Sequence, residues 1–241
     1  MIKIILKKIL MQEHLNEEEA SKVFKAMIEG KLTDAQISCF LSLLASNGES
    51  PTEIAAAAKV MRMHSLKVTT HLKNLVDTCG TGGDNSNSFN VSTGAAFIAA
   101  AAGVKIAKHG NRAASSNSGS ADLLEEAGAE INLSPEEVAY CIENLGIGFM
   151  FAPNHHRATK EVVSIRKELG IRTLFNLVGP LTNPAPVSRQ VIGIFDSNLI
   201  EKYLEVLIKL DCERAMVVAS TDGLDEISVS SNSIIGELYD K

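Results

Sequence analysis

The sequence predicts an α/β protein: a small N-terminal all-helical domain, residues 1–70, joined by part of 166–189, and a larger α/β domain, 71–241, on a mainly parallel central sheet. Two observations carry this. Helix-start signals repeat through residue 67, and from Lys73 onward apolar β-rich runs alternate with helical segments. In the N-terminal part, Asn16 with Glu19, Thr33 with Gln36 and Ser50 with Glu53 have capping-box spacing, and Pro51 follows Ser50 at the first helical position. Between these caps Val23, Met27 and Ile28, then Ile37, Phe40, Leu41 and Leu44, recur at helical spacing. The opening MIKIILKKILMQEH carries Lys3, Lys7 and Lys8 inside its apolar run and reads as an amphipathic helix rather than a signal peptide.

In the second part, strands are expected at 75–76, 104–107, 190–195 and 214–219, and helices at 94–102, 120–127, 135–145 and 197–210. Ser134-Pro135-Glu136-Glu137 is a complete helix start, and Gly103, Gly128 and Gly170 stand where helix ends need a left-handed residue. The chain has a formal net charge of −6, which argues against nucleic acid as the main partner. Its four cysteines, at 39, 79, 141 and 212, have no zinc-ligand spacing; reduced thiols and a cytoplasmic location are expected. No apolar stretch is long enough to span a bilayer, so no membrane partner is expected.

Three small-residue turns, all expected at carboxyl ends of strands, mark the candidate site. The first, Gly80-Thr81-Gly82-Gly83-Asp84, has three glycines in four positions and lets the backbone approach an anion. It is neither a dinucleotide fingerprint, because Asn85 stands where the third glycine belongs, nor a Walker A loop. The second, Asn90-Val91-Ser92-Thr93-Gly94, runs into an Ala-rich helix whose positive end favours negative charge, although Asn90, Ser92 and Thr93 also suit ordinary helix caps. The third, Lys108 to Ser116, adds two cations; on a solvated loop such cations mean little, but here they flank a phosphate nest. Three such turns suit a ligand with more than one phosphate group. Asp225 and Glu226 follow an apolar strand and a turn through Gly223, where adjacent acids are solvated more often than not; they also suit a hard cation shared with substrate phosphates.

The segments DTCGTGGD, NVSTGAA and KHGNRAASSNSGSADLLEEAG, with IRKELGIRTLFNLVGPLTNPA and DGLDE, closely resemble the anthranilate phosphoribosyltransferase family, which shares its fold with the pyrimidine nucleoside phosphorylases. The resemblance implies transfer of the phosphoribosyl group of 5-phosphoribosyl 1-pyrophosphate to the amine of anthranilate, with two Mg²⁺ ions, in a homodimer formed through the helical domain. For the donor it implies Gly80, Gly83, Asp84, Ser88, Asn90, Val91, Ser92, Thr93, Lys108, His109, Gly110, Asn111, Arg112, Ala113, Ala114, Ser115, Ser116 and Ser120. For anthranilate it implies Gly80, Asn111, His156 and Arg166, and for the metal Ser92, Asp225 and Glu226. No residue is singled out as an acid or base. Read without the resemblance, Arg166 is a surface helical arginine or a planar fork for a carboxylate, and His155 and His156 are paired histidines at a helix start, more often structural than catalytic.

The chain departs from the family at Arg157 and Thr159, where Pro and Met are usual, which bears on the wall of the aromatic pocket. The family also continues beyond Lys241 with elements that complete the large domain. Rival expectations are a pyrimidine nucleoside phosphorylase-like enzyme and a non-catalytic nucleic-acid-binding relative; IRKELGIRT and DGLDE favour the transferase over the first, and the acidic balance and GTGGD loop oppose the second.

Overall fold

The computed structural model describes residues 1–82, 89–113, 118–157 and 160–239. In chain order its helices and strands are α1 (Ile2–Leu10), α2 (Glu17–Ile28), α3 (Asp34–Asn47), α4 (Pro51–His64), β1 (Val76–Gly80), α5 (Val91–Ala101), β2 (Ile106–Gly110), α6 (Ser120–Glu126), α7 (Pro135–Leu145) and β3 (Ile147–Phe151). They continue with α8 (Ala152–His155), α9 (Lys160–Leu169), α10 (Phe175–Val178), β4 (Arg189–Gly193), α11 (Ile200–Lys209), β5 (Arg214–Ser220) and β6 (Ser233–Leu238). These elements form two compact units, Met1–Ser65 with His156–Thr182, and Leu66–His155 with Asn183–Lys241. Among the described residues no helix is long and apolar enough to cross a membrane.

The first unit is all helical. Its three expected capping boxes are all formed, each with reciprocal side-chain and backbone hydrogen bonds. Val23, Met27, Ile28, Ile37, Phe40, Leu41 and Leu44 are all buried, and Phe24 meets Phe40 edge to face with ring centroids 5.4 Å apart. Glu53 does more than cap. It is fully buried, its Oε1 accepts from the Leu15 N–H at 2.8 Å, and its Oε2 accepts from the Ser50 N–H and hydroxyl at 2.7 and 2.8 Å. Replacing Glu53 by Ala strands two backbone donors and removes a cap, so urea unfolding should show a loss of about 3 kcal/mol. An unchanged midpoint would mean that water replaces the carboxylate.

The second unit holds a six-stranded sheet in the order β3-β2-β1-β4-β5-β6, parallel throughout except for antiparallel β6. β1 pairs with β2 on one side and with β4 on the other, in a register that sets Gly80 opposite Gly193. The chain therefore winds from β1 outward to β3 and then restarts on the far side of β1. A reversal of strand order of this kind opens a crevice at the carboxyl ends of the strands on either side of it. Helices cover both faces. On one, Leu75, Ala107 and Met150 form a core with Val138, Ala139 and Ile142 of α7; on the other, Phe149 and Phe151 pack against Ala121, Leu124 and Ile131.

The expected alternation holds, with local corrections. β1 extends from Val76 through Gly80, so the first glycine of the first turn ends a strand. β3 and β6 were not expected as strands, and the helix expected over 197–210 is a short 3₁₀ turn followed by α11. Gly103, Gly128 and Gly170 all have positive φ, as their helix-end positions require.

Candidate active site

The described parts of the expected turns come together at the carboxyl edge of the sheet in the second unit. Beyond β1, the Thr81 N–H donates to the Gly193 carbonyl at 2.9 Å, and the Gly82 N–H donates to Asp225 Oδ2 at 3.0 Å. The segment carrying Asp225 is wedged against two strand ends. A Cβ on Gly193 would overlap the Asp225 backbone carbonyl, and one on Gly80 would lie 2.8 Å from Asp225 Oδ2. Glycine at both positions lets the acidic segment reach the first turn. The Ser220 hydroxyl fixes that segment again by donating to the Glu226 carbonyl at 2.5 Å.

α5 begins at Val91, so Ser92 and Thr93 lie in its first turn and do not cap it. Asn90 is the N-cap residue but forms no side-chain cap; its amide donates to the Ser118 hydroxyl at 3.1 Å, and the Thr93 hydroxyl donates to Ser120 Oγ at 3.1 Å. The second turn is thus stitched to the start of α6 and the residues just before it.

Lys108 lies inside β2 rather than on a solvated loop, only 2 % exposed, and its ammonium donates to the Thr78 carbonyl and, at 3.3 Å, to Ser92 Oγ. The Asp77 carboxylate, on the neighbouring strand β1, is fully buried and accepts from the His109 N–H at 3.2 Å and from the Asn183 amide at 2.8 Å. Burial pushes the Asp77 carboxyl up and the Lys108 ammonium down from their ordinary values, and each group's charge opposes the shift of the other. The negative charge of Glu226 also favours the Lys108 ammonium.

Arg112 is half exposed and engaged. Its guanidinium lies 2.9 Å from Asp122 and 2.5 Å from Glu125, and sits over the Phe151 ring at 5.5 Å. Asp122 Oδ2 also accepts from the Ala113 and Gly119 N–H groups at 2.9 and 2.8 Å; these two bonds, with Arg112, hold its carboxyl below the usual range. The Asn111 side chain accepts from the Arg112 N–H, and its carbonyl from the Ala121 N–H. A Cβ on Gly110 would meet Phe149 and Ser120. Gly83, Asp84, Ser88, Ala114, Ser115, Ser116 and Thr159 lie outside the described residues.

The described donors are backbone amides, hydroxyls, one buried ammonium and two carboxylates at strand ends, a set that suits an anionic phosphate ester and a hard cation. A helical-bundle model of the glycosyl transferase family matches residues 3–65, and the α/β-domain model of the same family matches residues 72–241. The chain belongs to the anthranilate phosphoribosyltransferase branch of that family. The anthranilate phosphoribosyltransferase of Hydrogenovibrio crunogenus is 51% identical over 97% of this chain and 69% of its own length, and that of Ectopseudomonas mendocina is 52% identical over 99% and 69%. The crystal structure of the Thermus thermophilus enzyme superposes with a TM-score of 0.91 at 44% identity, over 96% of this chain and 70% of that one. The Saccharomyces cerevisiae enzyme solved with PRPP and Mg gives 0.89 at 30% identity, over 98% and 72%.

The residues that the anthranilate phosphoribosyltransferase resemblance implies for the acceptor divide between the units. Gly80 and Asn111 lie in the α/β unit, as described. In the helical unit, His156 is buried and follows α8, which ends at His155, so the histidine pair ends a helix instead of starting one. His155, in the α/β unit, has a structural role: its Nδ1 lies 2.8 Å from the Leu66 carbonyl. Arg166, on α9, is partly buried. Its guanidinium lies 5.3 Å over the Phe175 ring and donates to Asn176 Oδ1 at 3.4 Å, an oxygen that also accepts from the Thr173 N–H at 3.0 Å. Burial lowers the guanidinium from its ordinary value. Sequence reading missed Asp77, Asn183 and Asp122 as parts of the site. A charged residue directly after the apolar pair Leu75-Val76 was the available signal for the first.

Proposed function

We propose that this chain transfers the phosphoribosyl group of 5-phosphoribosyl 1-pyrophosphate to the amino group of anthranilate, releasing pyrophosphate, a step of tryptophan biosynthesis. The observation that carries the reading is the convergence of Gly82, Ser92, Lys108 and Asp225 at the ends of β1, β2 and β5, backed by relatives of the same activity, one of them solved with PRPP and Mg. The C1–oxygen bond to pyrophosphate breaks, the C1–nitrogen bond forms, and the ammonium proton leaves to solvent or to the departing pyrophosphate. An aromatic amine is unprotonated at neutral pH, so no strong base is required. The chain's task is to hold donor and amine in line and to oppose the charge of the leaving group.

Ser92, Asp225 and Glu226 supply hard oxygen donors, and the last acts electrostatically on the Lys108 that contacts the first. We assign them to Mg²⁺, two ions in all, with substrate oxygens completing the shells. Bound there, Mg²⁺ offsets the negative charge that builds on pyrophosphate. Lys108 and the α5 N-terminus oppose the same charge from the protein side. The aromatic acceptor we assign to Gly80, Asn111, His156 and Arg166.

The helical unit we place at a homodimer interface, supported by the exposed Ile4, Leu10 and Met11 at its N-terminus, and the protein in the cytoplasm, supported by four cysteines that lack CxxC or zinc-ligand spacing. Incubation with anthranilate, the pyrophosphate donor and Mg²⁺ should consume anthranilate fluorescence and release one pyrophosphate per turnover. No consumption, with thymidine and phosphate turned over instead, would replace this reading with the phosphorylase.

A further inference from the structure

The chain leaves β2 at Gly110 and re-enters regular structure at Ser120, the first residue of α6. The described residues at the two ends of this connection are tied to one another more closely than a link between a strand and a helix requires. Asp122 Oδ2 accepts from the Gly119 N–H at 2.8 Å and from the Ala113 N–H at 2.9 Å, and the Ala121 N–H donates to the Asn111 carbonyl at 3.2 Å. An acid at the third position of a helix ordinarily serves as a cap, and for that the Gly119 bond suffices. The Ala113 bond reaches nine residues back and adds nothing to α6. It joins the outgoing backbone to the returning one.

Gly119 makes the same point sterically. A Cβ there would overlap the Ala113 nitrogen and lie 2.5 Å from the Arg112 carbonyl carbon and 2.7 Å from the Asn111 carbonyl oxygen, all of them backbone atoms. Its φ of −95° is one that any residue adopts, so the close approach of the two stretches, and not conformation, calls for glycine. Residues of the donor reading stand on both stretches. Arg112 is on the outgoing one; on the returning one, the Ser118 hydroxyl accepts from the Asn90 amide and Ser120 Oγ from the Thr93 hydroxyl. The other oxygen of Asp122 lies 2.9 Å from the Arg112 guanidinium, but this ion pair is partly exposed, contributes little by itself, and is duplicated by Glu125 at 2.5 Å. The two backbone bonds distinguish Asp122.

We propose that Asp122 is a positioning residue for donor binding: by taking the Ala113 and Gly119 N–H groups on one carboxylate oxygen it holds the outgoing and returning backbone side by side, and so fixes where Arg112 leaves the sheet and where Ser120 meets Thr93. It acts through the backbone it holds, and Gly119 makes that contact sterically possible. The proposal deepens the donor reading above and rests on it.

The test compares the wild-type chain with Asp122→Ala, Asp122→Asn and Gly119→Ala, by calorimetry with donor and Mg²⁺ and by the KM of each substrate. Asp122→Ala should weaken donor binding about tenfold and leave the anthranilate KM within about threefold. On charge alone the sign would be the opposite, because removing an acid beside an anionic ligand favours binding, so a loss reports position. Asp122→Asn keeps one oxygen for both N–H groups while giving up the Arg112 contact, and its donor affinity should stay within about threefold of wild type. Gly119→Ala should lose about tenfold, and combined with Asp122→Ala the loss should fall short of the product, since both changes part the same two stretches. Should neither alanine variant fold, hydrogen exchange in the wild type decides: without donor, the Ala113 and Gly119 amides should exchange at least about tenfold more slowly than unstructured ones. Exchange at the unstructured rate overturns the proposal. So does full donor affinity in Asp122→Ala, a loss in Asp122→Asn equal to that in Asp122→Ala, or an equal rise in both KM values. Wild-type protein that binds no donor would remove the functional reading itself, an outcome distinct from any of these.

Discussion

The double variant Asp225→Asn, Glu226→Gln is expected to lose turnover by at least about 10³-fold at millimolar Mg²⁺, while retaining its fold. The two substitutions remove charge but almost no volume. Asn at 225 keeps an oxygen for the Gly82 N–H, and the backbone of the segment stays held by the Ser220 hydroxyl and by the space left at Gly193. What disappears is two hard anionic ligands. Among the described residues no cluster of three or more His, Cys, Asp or Glu side chains could replace them. Loss of a single preorganised transition-state contact typically costs about 10²–10³-fold, and here both carboxylates of the metal site go together. The electrostatics of the remaining site run in the same direction: without Glu226 the buried Lys108 ammonium has less support, so a second cation weakens as well. Steady-state rates across a Mg²⁺ titration, with thermal unfolding as control, provide the check. Partial recovery at high Mg²⁺ would fit weakened metal binding; near-normal turnover at ordinary Mg²⁺ would refute the assignment of these two residues.

Sequence alone made the local parts of this arrangement legible. Capping boxes at Asn16, Thr33, Ser50 and Ser134 are written within four residues and formed as expected, because both partners sit on one turn of chain. Gly103, Gly128 and Gly170 were readable for the same reason. The strand IGFMF was lost because α7 runs almost directly into it. Gly146, at φ +86°, ends the helix and leaves a single residue's margin before an apolar run that suits either structure. SIIGEL at Ser233–Leu238 sits in a serine-rich stretch, and its pairing with β5 depends on a partner about twenty residues away. Lys108 shows the limit most clearly. A lysine before His-Gly-Asn-Arg suggests a solvated loop, yet the strand carrying it is covered on both faces, and the groups that receive its ammonium, the Thr78 carbonyl and Ser92 Oγ, are 30 and 16 positions earlier. Such contacts are tertiary facts, and neither half shows the other in the chain.

Replacing Arg166 by Ala is expected to raise the anthranilate KM by about 30–100-fold and to leave the donor KM within about twofold. The basis is a contrast between two arginines. Arg112 commits its charge to Asp122 and Glu125, so an incoming anion must displace two carboxylates. Arg166 is placed by neutral groups, the Phe175 ring and the Asn176 amide, and among the described residues no acid pairs with it. Its guanidinium is therefore oriented but uncompensated, and partial burial makes an anionic partner more favourable than water would. Bidentate hydrogen bonds between a guanidinium and a carboxylate contribute roughly 2–3 kcal/mol, which is the source of the expected factor. Lysine at this position should recover only part of the loss, because an ammonium cannot match both carboxylate oxygens. An acceptor such as aniline, which lacks the carboxylate, separates recognition from packing: Arg166→Ala and the wild type should use it equally poorly. If the variant lost aniline turnover as well, or if both substrate KM values rose together, Arg166 would be holding α9 in place instead of gripping the acceptor.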